Sequence, residues 1–371
     1  MSLPTSFSRF SALAGAAVLI TSLAACGSGA SSDTQSDAGA PGAAATTALS
    51  GELAGAGASS QEAAMEAWKA GFAAVQPDVA VSYDAVGSGA GITQFADSQV
   101  LWAGSDAPLE GEEIEAARAR CGSPAWALPV YISPVAVIFN LEGVDALNLD
   151  AATIAKIFTG EIAKWNDPAI VASNPGVELP DLAITPVHRS DKSGTTENFT
   201  DYLHEAAPEA WAYDPAKEWP IEGGESGDKT AGIVQAVTEG AGAIGYADAS
   251  QAGDLGTVAL AAADGTFVSF SNETAAAAAD TASPVEGREA NDIALKVNRV
   301  PATNNAYPLV LVSYSIVCSA YADANEAALV KAFVGYQVSE EGQRMAADNA
   351  GSAPLSAAMT AKVQAALDAI R

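Results

Sequence analysis

The stretch His188-Arg189-Ser190-Asp191-Lys192-Ser193-Gly194-Thr195 lies between an apolar, β-branched run at 182–187 and a segment of helical spacing at 196–204. Small residues and hydroxyls stand where a strand gives way to a helix. Three other stretches share that design. Gly55-Ala56-Gly57-Ala58-Ser59-Ser60 opens a helix predicted over 61–75, with Met65, Trp68, Phe72 and Val75 on one face. Gly87-Ser88-Gly89-Ala90-Gly91 follows a strand predicted over 79–86, and Gly104-Ser105-Asp106-Ala107-Pro108 follows one at 100–103. Further strands are predicted at 130–140, 243–247 and 309–318, and helices at 112–120, 232–239, 325–338 and 357–370. The alanine-rich stretch 274–280 reads as surface helix or loop, and no internal repeat stands out. Strand–helix alternation of this kind predicts an α/β fold with open sheets, whose ligands gather in loops beyond the strand ends.

The four loops suit an oxyanion. The first N–H groups of a helix have no partner inside it, and the helix dipole adds partial positive charge there. Serine, threonine and glycine let an anion approach those groups and contribute hydroxyl donors, so several such ends aimed at one point need no large basic patch. Each loop alone is also explained by an ordinary cap; Ser59 with Glu62, for instance, has capping-box spacing. Arg189 is the one guanidinium in these loops and can grip two oxygens of a tetrahedral anion, with Asp191 holding it in place. A surface Arg–Asp pair is the plainer alternative. Asp106 repels anions unless the anion carries a proton: hydrogen phosphate can donate to it, fully ionised sulfate cannot. Its plainer alternative is a helix N-cap.

The N-terminus reads as processing signal. Met1 to Ser8 holds no acid, Arg9 precedes an apolar run to about Leu19, and Leu23-Ala24-Ala25-Cys26 closes it. Residues 1–25 are expected to be a lipoprotein signal peptide, resembling the bacterial lipobox, with Cys26 lipidated. Residues 26–50, rich in Gly, Ser, Asp, Thr and Ala, read as a flexible tether. No later run reaches the roughly 20 apolar residues that cross a bilayer. The net charge is −28, and losing Arg9 would make it −29; this argues against nucleic acid and anionic membrane surfaces as partners. An anion held in a closed cleft escapes that objection, because surface charge is screened within about 10 Å. Cys121 and Cys318 then remain, either as one disulfide or as two buried thiols. Two histidines, His188 and His204, without a Cys/His cluster argue against zinc, and no metal or other cofactor is expected.

In this order the four loops resemble the phosphate-binding protein (PstS) family of ABC phosphate-uptake systems, over nearly everything from Gly51 to the C-terminal helix. The Arg-x-Asp-x-Ser-Gly-Thr pattern at 189–195 and Ser105-Asp106-Ala107-Pro108 are its specific parts. Ile157-Phe158-Thr159-Gly160, Lys164-Trp165-Asn166-Asp167-Pro168, Gly242-Ala243-Ile244-Gly245-Tyr246 and Tyr307-Pro308-Leu309 support it. The resemblance implies a type II periplasmic-binding-protein-like fold: two α/β lobes, a two-segment hinge and a ligand cleft between them. Lobe I would be 51–130 plus 309–371 and lobe II 131–308. It implies hydroxyl donors from Ser59, Ser88, Ser193 and Thr195, and N–H donors from Ser60, Gly194 and Thr195. Arg189 would give the charged contact, Asp106 would accept the phosphate proton, and Asp191 would support Arg189.

Two residues depart from the family pattern. Ser60 stands where a large apolar side chain is frequent, and Lys192 where glycine is frequent, at a position that would favour φ > 0. The expected function is extracellular capture of inorganic phosphate by a monomer on the outer face of the cytoplasmic membrane, held by lipid (palmitate) alone. Its expected partners are the permease and ATPase subunits of an ABC importer. A phosphate sensor or surface protein of the same fold is the alternative. A secreted phosphoesterase is a weaker one, because His188 is the only nucleophile-like side chain near the loops, and the chain is expected not to be an enzyme.

Overall fold

The computed structural model describes residues 48–371; the signal peptide, Cys26 and nearly all of the tether lie outside them. Residues 48–371 form one compact unit. Its strands are β1 (Gly51–Gly57), β2 (Val79–Asp84), β3 (Trp102–Ser105), β4 (Ala125–Phe139), β5 (Ala146–Leu149), β6 (Thr185–Arg189) and β7 (Glu225–Gly227). They continue with β8 (Ala243–Asp248), β9 (Gly256–Ala261), β10 (Phe267–Val268), β11 (Ser283–Pro284), β12 (Leu295–Lys296) and β13 (Val310–Cys318). The helices are α1 (Glu62–Val75), α2 (Ser88–Ala96), α3 (Gly111–Cys121), α4 (Ala151–Phe158), α5 (Pro168–Ser173) and α6 (Gly194–Ala206). After them come α7 (Lys229–Glu239), α8 (Asn272–Asp280), α9 (Ala324–Gln337), α10 (Glu340–Ala350) and α11 (Ala357–Ala369).

The main sheet runs β2-β1-β3-β13-β4-β8-β6-β7, with β9 on β4 and β5 and β10 on β9. Two lobes arise because one strand serves both halves. Residues 125–134 of β4 pair antiparallel with β13, whereas Val135 to Phe139 pair with β8. The exchange falls at Pro134, which has no N–H to donate to a ladder, and the register slips opposite Ser313 and Tyr314, beside Pro129. Both crossing strands are buried along almost their whole length, which accounts for their largely apolar sequences; Ser133 on β4 and Ser313 and Ser315 on β13 are buried with them. β1, β2 and β3 are parallel and feed α1, α2 and α3; β6 and β7 are parallel and feed α6 and α7. All five helix starts therefore open toward the same cleft edge of their half-sheets.

On α1, Met65, Trp68 and Phe72 are buried as the spacing predicts, but Val75 at the helix end is exposed. The stretch 274–280 is helical, within α8. The excursion through β11 and β12 returns toward the first half: Leu295 and Val297 join the apolar cluster of Ala56, Ile92 and Phe95. The sulfurs of Cys121 and Cys318 are bonded, with Cα atoms 5.5 Å apart, joining the end of α3 to the end of β13. Arg120 donates to Cys318 Sγ and lies over the Phe95 ring. Among the described residues no helix is long and apolar enough to cross a membrane.

Candidate functional site

The loop after β6 is held by its own backbone. Ser193 caps α6, its Oγ accepting from Thr196 N–H at 3.2 Å, while Ser193 N–H donates to the Lys217 carbonyl at 2.9 Å. Helix geometry leaves the N–H groups of Gly194 and Thr195 without intrahelical partners. Gly194 is required by crowding: a Cβ there would lie 2.8 Å from Asp106 Cβ and from Ser88 Oγ. Gly87, at φ 91°, is required by conformation as well as by space, since a Cβ would meet Asp191 Oδ2 at 2.4 Å.

The fold brings together the eight residues expected to bind the anion. Ser59, Ser60, Ser88, Asp106, Arg189, Ser193 and Thr195 are each no more than 3 % exposed, and Gly194 is buried with them. Contacts run directly across the cleft. Ser59 Oγ is 2.9 Å from Thr230 Oγ1 and 3.3 Å from Arg189 Nη2; Thr195 Oγ1 donates to Asp106 Oδ2 at 2.9 Å. Gly89 N–H donates to the Lys192 carbonyl at 3.0 Å, and Asn198 Nδ2 to the Asp106 carbonyl at 2.8 Å.

Arg189 gives its Nε–Nη2 edge to Asp191, at 2.6 and 2.5 Å. A ligand is thus left the Nη1–Nη2 edge. Asp191 also accepts from Lys229 N–H, and although burial alone would raise its pKa, Arg189 holds the carboxyl below its ordinary value.

Asp106 does not cap α3. Glu110 does, in a capping box with Glu113. Instead the Asp106 carboxylate collects hydroxyls: Ser60 Oγ and Ser313 Oγ donate to Oδ1 at 2.6 and 2.7 Å, and Thr195 to Oδ2. Burial raises its pKa, opposed by these three hydrogen bonds and by Arg189. Of about four acceptor positions on a carboxylate, three are taken and one is left, on Oδ2. The Ser60 hydroxyl, in place of a large apolar side chain, is therefore spent on Asp106. Two other expectations are corrected. Ser59 and Glu62 form no capping box, because the Ser59 hydroxyl is engaged by Thr230 and Arg189 and the cap position falls on Gln61. Lys192 does not adopt positive φ; among the described non-glycine residues Ser98 and Lys229, the latter at the start of α7, do.

Sequence reasoning missed Thr230, Ser313 and Gln61. Gly227-Asp228-Lys229-Thr230 has the same small-and-hydroxyl design at a strand–helix junction and was open to the same reading. Ser313 and Gln61, whose Nε2 donates to Ser313 Oγ at 2.6 Å, carry no such local signal. His188 is structural: its ring nitrogens lie 2.9 Å from the carbonyls of Arg189 and Gly223, and the ring stacks on Trp219.

Residues 42–341 match the PBP superfamily domain. The phosphate-binding protein PstS 2 of Mycobacterium tuberculosis is 36% identical over 94% of this chain and 95% of its own length. The PstS 3 protein of Mycobacterium leprae is 39% identical over 85% of each chain. The chain belongs to the PstS family. Solved structures agree on the fold of that family. A high-affinity periplasmic phosphate-binding protein, PfluDING, with bound phosphate superposes with a TM-score of 0.69 at 24% identity, covering 85% of this chain and 93% of that one. A phosphate-binding protein from Stenotrophomonas maltophilia gives 0.66 at 19% identity over 85% and 94%. The two-lobed architecture expected of PstS proteins is therefore that of this chain.

Proposed function

We propose that this protein captures inorganic phosphate outside the cell and delivers it to the permease of an ABC importer. One observation carries the choice of ligand. A buried carboxylate, Asp106, stands among anion donors with one acceptor position unused. A monohydrogen phosphate satisfies that position with its own proton while its other oxygens take the N–H groups of Ser60, Gly194 and Thr195, the hydroxyls of Ser59, Ser88 and Ser193, and Arg189; the Thr195 hydroxyl, like that of Ser60, is given to Asp106. Sulfate brings no proton and would leave two acceptors facing each other in a dry site. The names of the relatives agree with this reading. The same proposal is of binding and not of cleavage, and the turn of both His188 ring nitrogens to backbone carbonyls supports it.

The same proposal includes lobes of 51–130 plus 309–371 and 131–308, removal of residues 1–25, a lipid on Cys26 and a monomer at the outer face of the membrane. Calorimetric titration of the protein, stripped of ligand, with phosphate and with sulfate tests it. Tight phosphate binding without sulfate binding is expected, and equal binding of the two refutes the role given to Asp106. Mass spectrometry of the exported protein tests the lipid; an unmodified N-terminus, or a cut elsewhere than before Cys26, refutes it.

A further inference from the structure

Helix α6, whose first turn carries Gly194 and Thr195, bears three acids at one-turn spacing: Glu197, Asp201 and Glu205. Each meets a cation from outside the helix. Asp201 accepts from buried Arg299 Nε at 2.7 Å, and Arg299 Nη1 also donates to the Pro308 and Val310 carbonyls where β13 begins. Glu205 meets Lys296 of β12 at 2.7 Å near the surface. Glu197 lies 3.3 Å from Lys217 Nζ, and that ammonium also lies 2.9 Å from Glu113 Oε2 on α3. Because α3 lies between β3 and β4, the Lys217–Glu113 pair joins the two lobes.

Both partners are held in place. The Lys217 carbonyl receives Ser193 N–H from the anion loop itself; Glu113 N–H donates to the Glu110 carbonyl and its Oε2 receives Glu110 N–H in the capping box of α3. The pair is largely shielded, with side-chain exposures of 12 % and 28 %. Beside it a cavity of about 350 Å³ runs between α6 and the first lobe, from Glu110 and Glu197 past Asp106 to Arg299. Apolar packing does not fill that side of the cleft, and the contacts that span it are polar: Thr195 and Asn198 to Asp106, and Lys217 to Glu113.

We propose that Lys217 is a positioning residue for ligand capture: its ammonium, bridging Glu113 and Glu197, clamps the start of α6 against the first lobe and keeps the cleft shut over the anion. This rests on the phosphate reading given above. Arg299 anchors the far part of the same helix to the hinge strand and also binds Asn198 Oδ1 at 2.5 Å. Without the ammonium, three carboxylates, Glu110, Glu113 and Glu197, would face one another at the closed seam. Burial already pushes Glu197 up to about 7, with Glu110 and Glu113 adding to the rise and Lys217 opposing it. Burial would lower the Lys217 pKa, yet Glu197 and Glu113 raise it, so it is charged at the seam. A bridge made only in the closed form acts on escape of the ligand more than on its arrival.

The test is stopped-flow and equilibrium binding of inorganic phosphate to Lys217→Met, Glu113→Gln and the double variant. Each single change is expected to raise koff and Kd about tenfold with kon within about twofold, and the double variant to be little worse than either single one. Glu113→Gln, on an outer helix, carries the test if Lys217→Met fails to fold. An unchanged koff in the singles, or losses that add in full in the double, overturns the clamp. Wild type that takes up no phosphate overturns the functional reading instead. The clamp is then judged on ligand-free protein by small-angle scattering, where Lys217→Met should enlarge the radius of gyration and an unchanged radius overturns it.

Discussion

Two cation–carboxylate pairs share one loop region. Arg189 and Asp191 meet at 2.5 Å with side chains 2 % and 14 % exposed; Lys192 and Glu218 meet at 3.0 Å with side chains 63 % and 67 % exposed. The chemistry is alike and the surroundings are not. An exposed pair is screened and loses side-chain entropy, so it contributes little. A buried one leaves an uncompensated charge if either partner is removed. Residue type therefore says less about this loop than burial does, and the contrast can be attacked at several points.

The largest effect is expected where a buried acid has no cation at all. Asp248 is fully buried at the end of β8, accepts from Ser250 and Tyr131, and leaves Oδ2 without a partner. Burial pushes its pKa up to about 7, with Asp106 adding to the rise and the Ser250 hydrogen bonds opposing it. The folded state thus holds a proton that the unfolded chain releases near the ordinary value of 3.8. The sign follows: stability is full below about pH 4 and is lost as pH rises through about 7. Urea denaturation of wild type and Asp248→Asn across that range should show the variant gaining on wild type by up to roughly 4 kcal/mol. A pH-independent difference would mean that Asp248 keeps its charge when folded.

Arg189→Ala comes next. Loss of a desolvated guanidinium should weaken phosphate binding by about 1.5–3 kcal/mol or more, read by calorimetry. Asp106→Asn should change phosphate binding less, by about 1.5 kcal/mol or under, while sulfate binding rises from undetectable to measurable. An unchanged sulfate-to-phosphate ratio would remove the proton-acceptor role. Lys192→Ala should cost under about 1 kcal/mol. A Lys192→Ala loss equal to that of Arg189→Ala would erase the contrast between the two pairs.

The same contrast explains what was readable in the sequence. β2, β8 and β13 announce themselves through β-branched and aromatic residues, and α1 through its buried Met65, Trp68 and Phe72. β1, Gly-Glu-Leu-Ala-Gly-Ala-Gly, does not, because it is a strand only by virtue of pairing with β2 and β3 on either side. The start of α2 reads as loop because Ser88-Gly-Ala-Gly has poor helix propensity; Gly91 is there because the helix runs against Gly57 Cα. α10 is polar and hides its burial in Gly342 and Ala346. The candidate site was legible where its residues sit together in one local loop. Ser313 and Gln61, 252 residues apart and joined by a hydrogen bond, become neighbours only when β13 inserts beside β3.

The bond between Cys121 and Cys318 spans 197 residues, so it closes a covalent ring around nearly everything inserted between the end of α3 and the end of β13. A peptide bond cut anywhere inside that ring leaves a single molecule, its two pieces tied at the base of the first lobe beside Arg120. For a protein proposed to work outside the cell, a nick in the connection 285–292, exposed at Glu286, Gly287, Glu289 and Ala290, would then be a scar and not a loss. Limited proteolysis followed by electrophoresis should show full-length mass without reductant and two fragments with it.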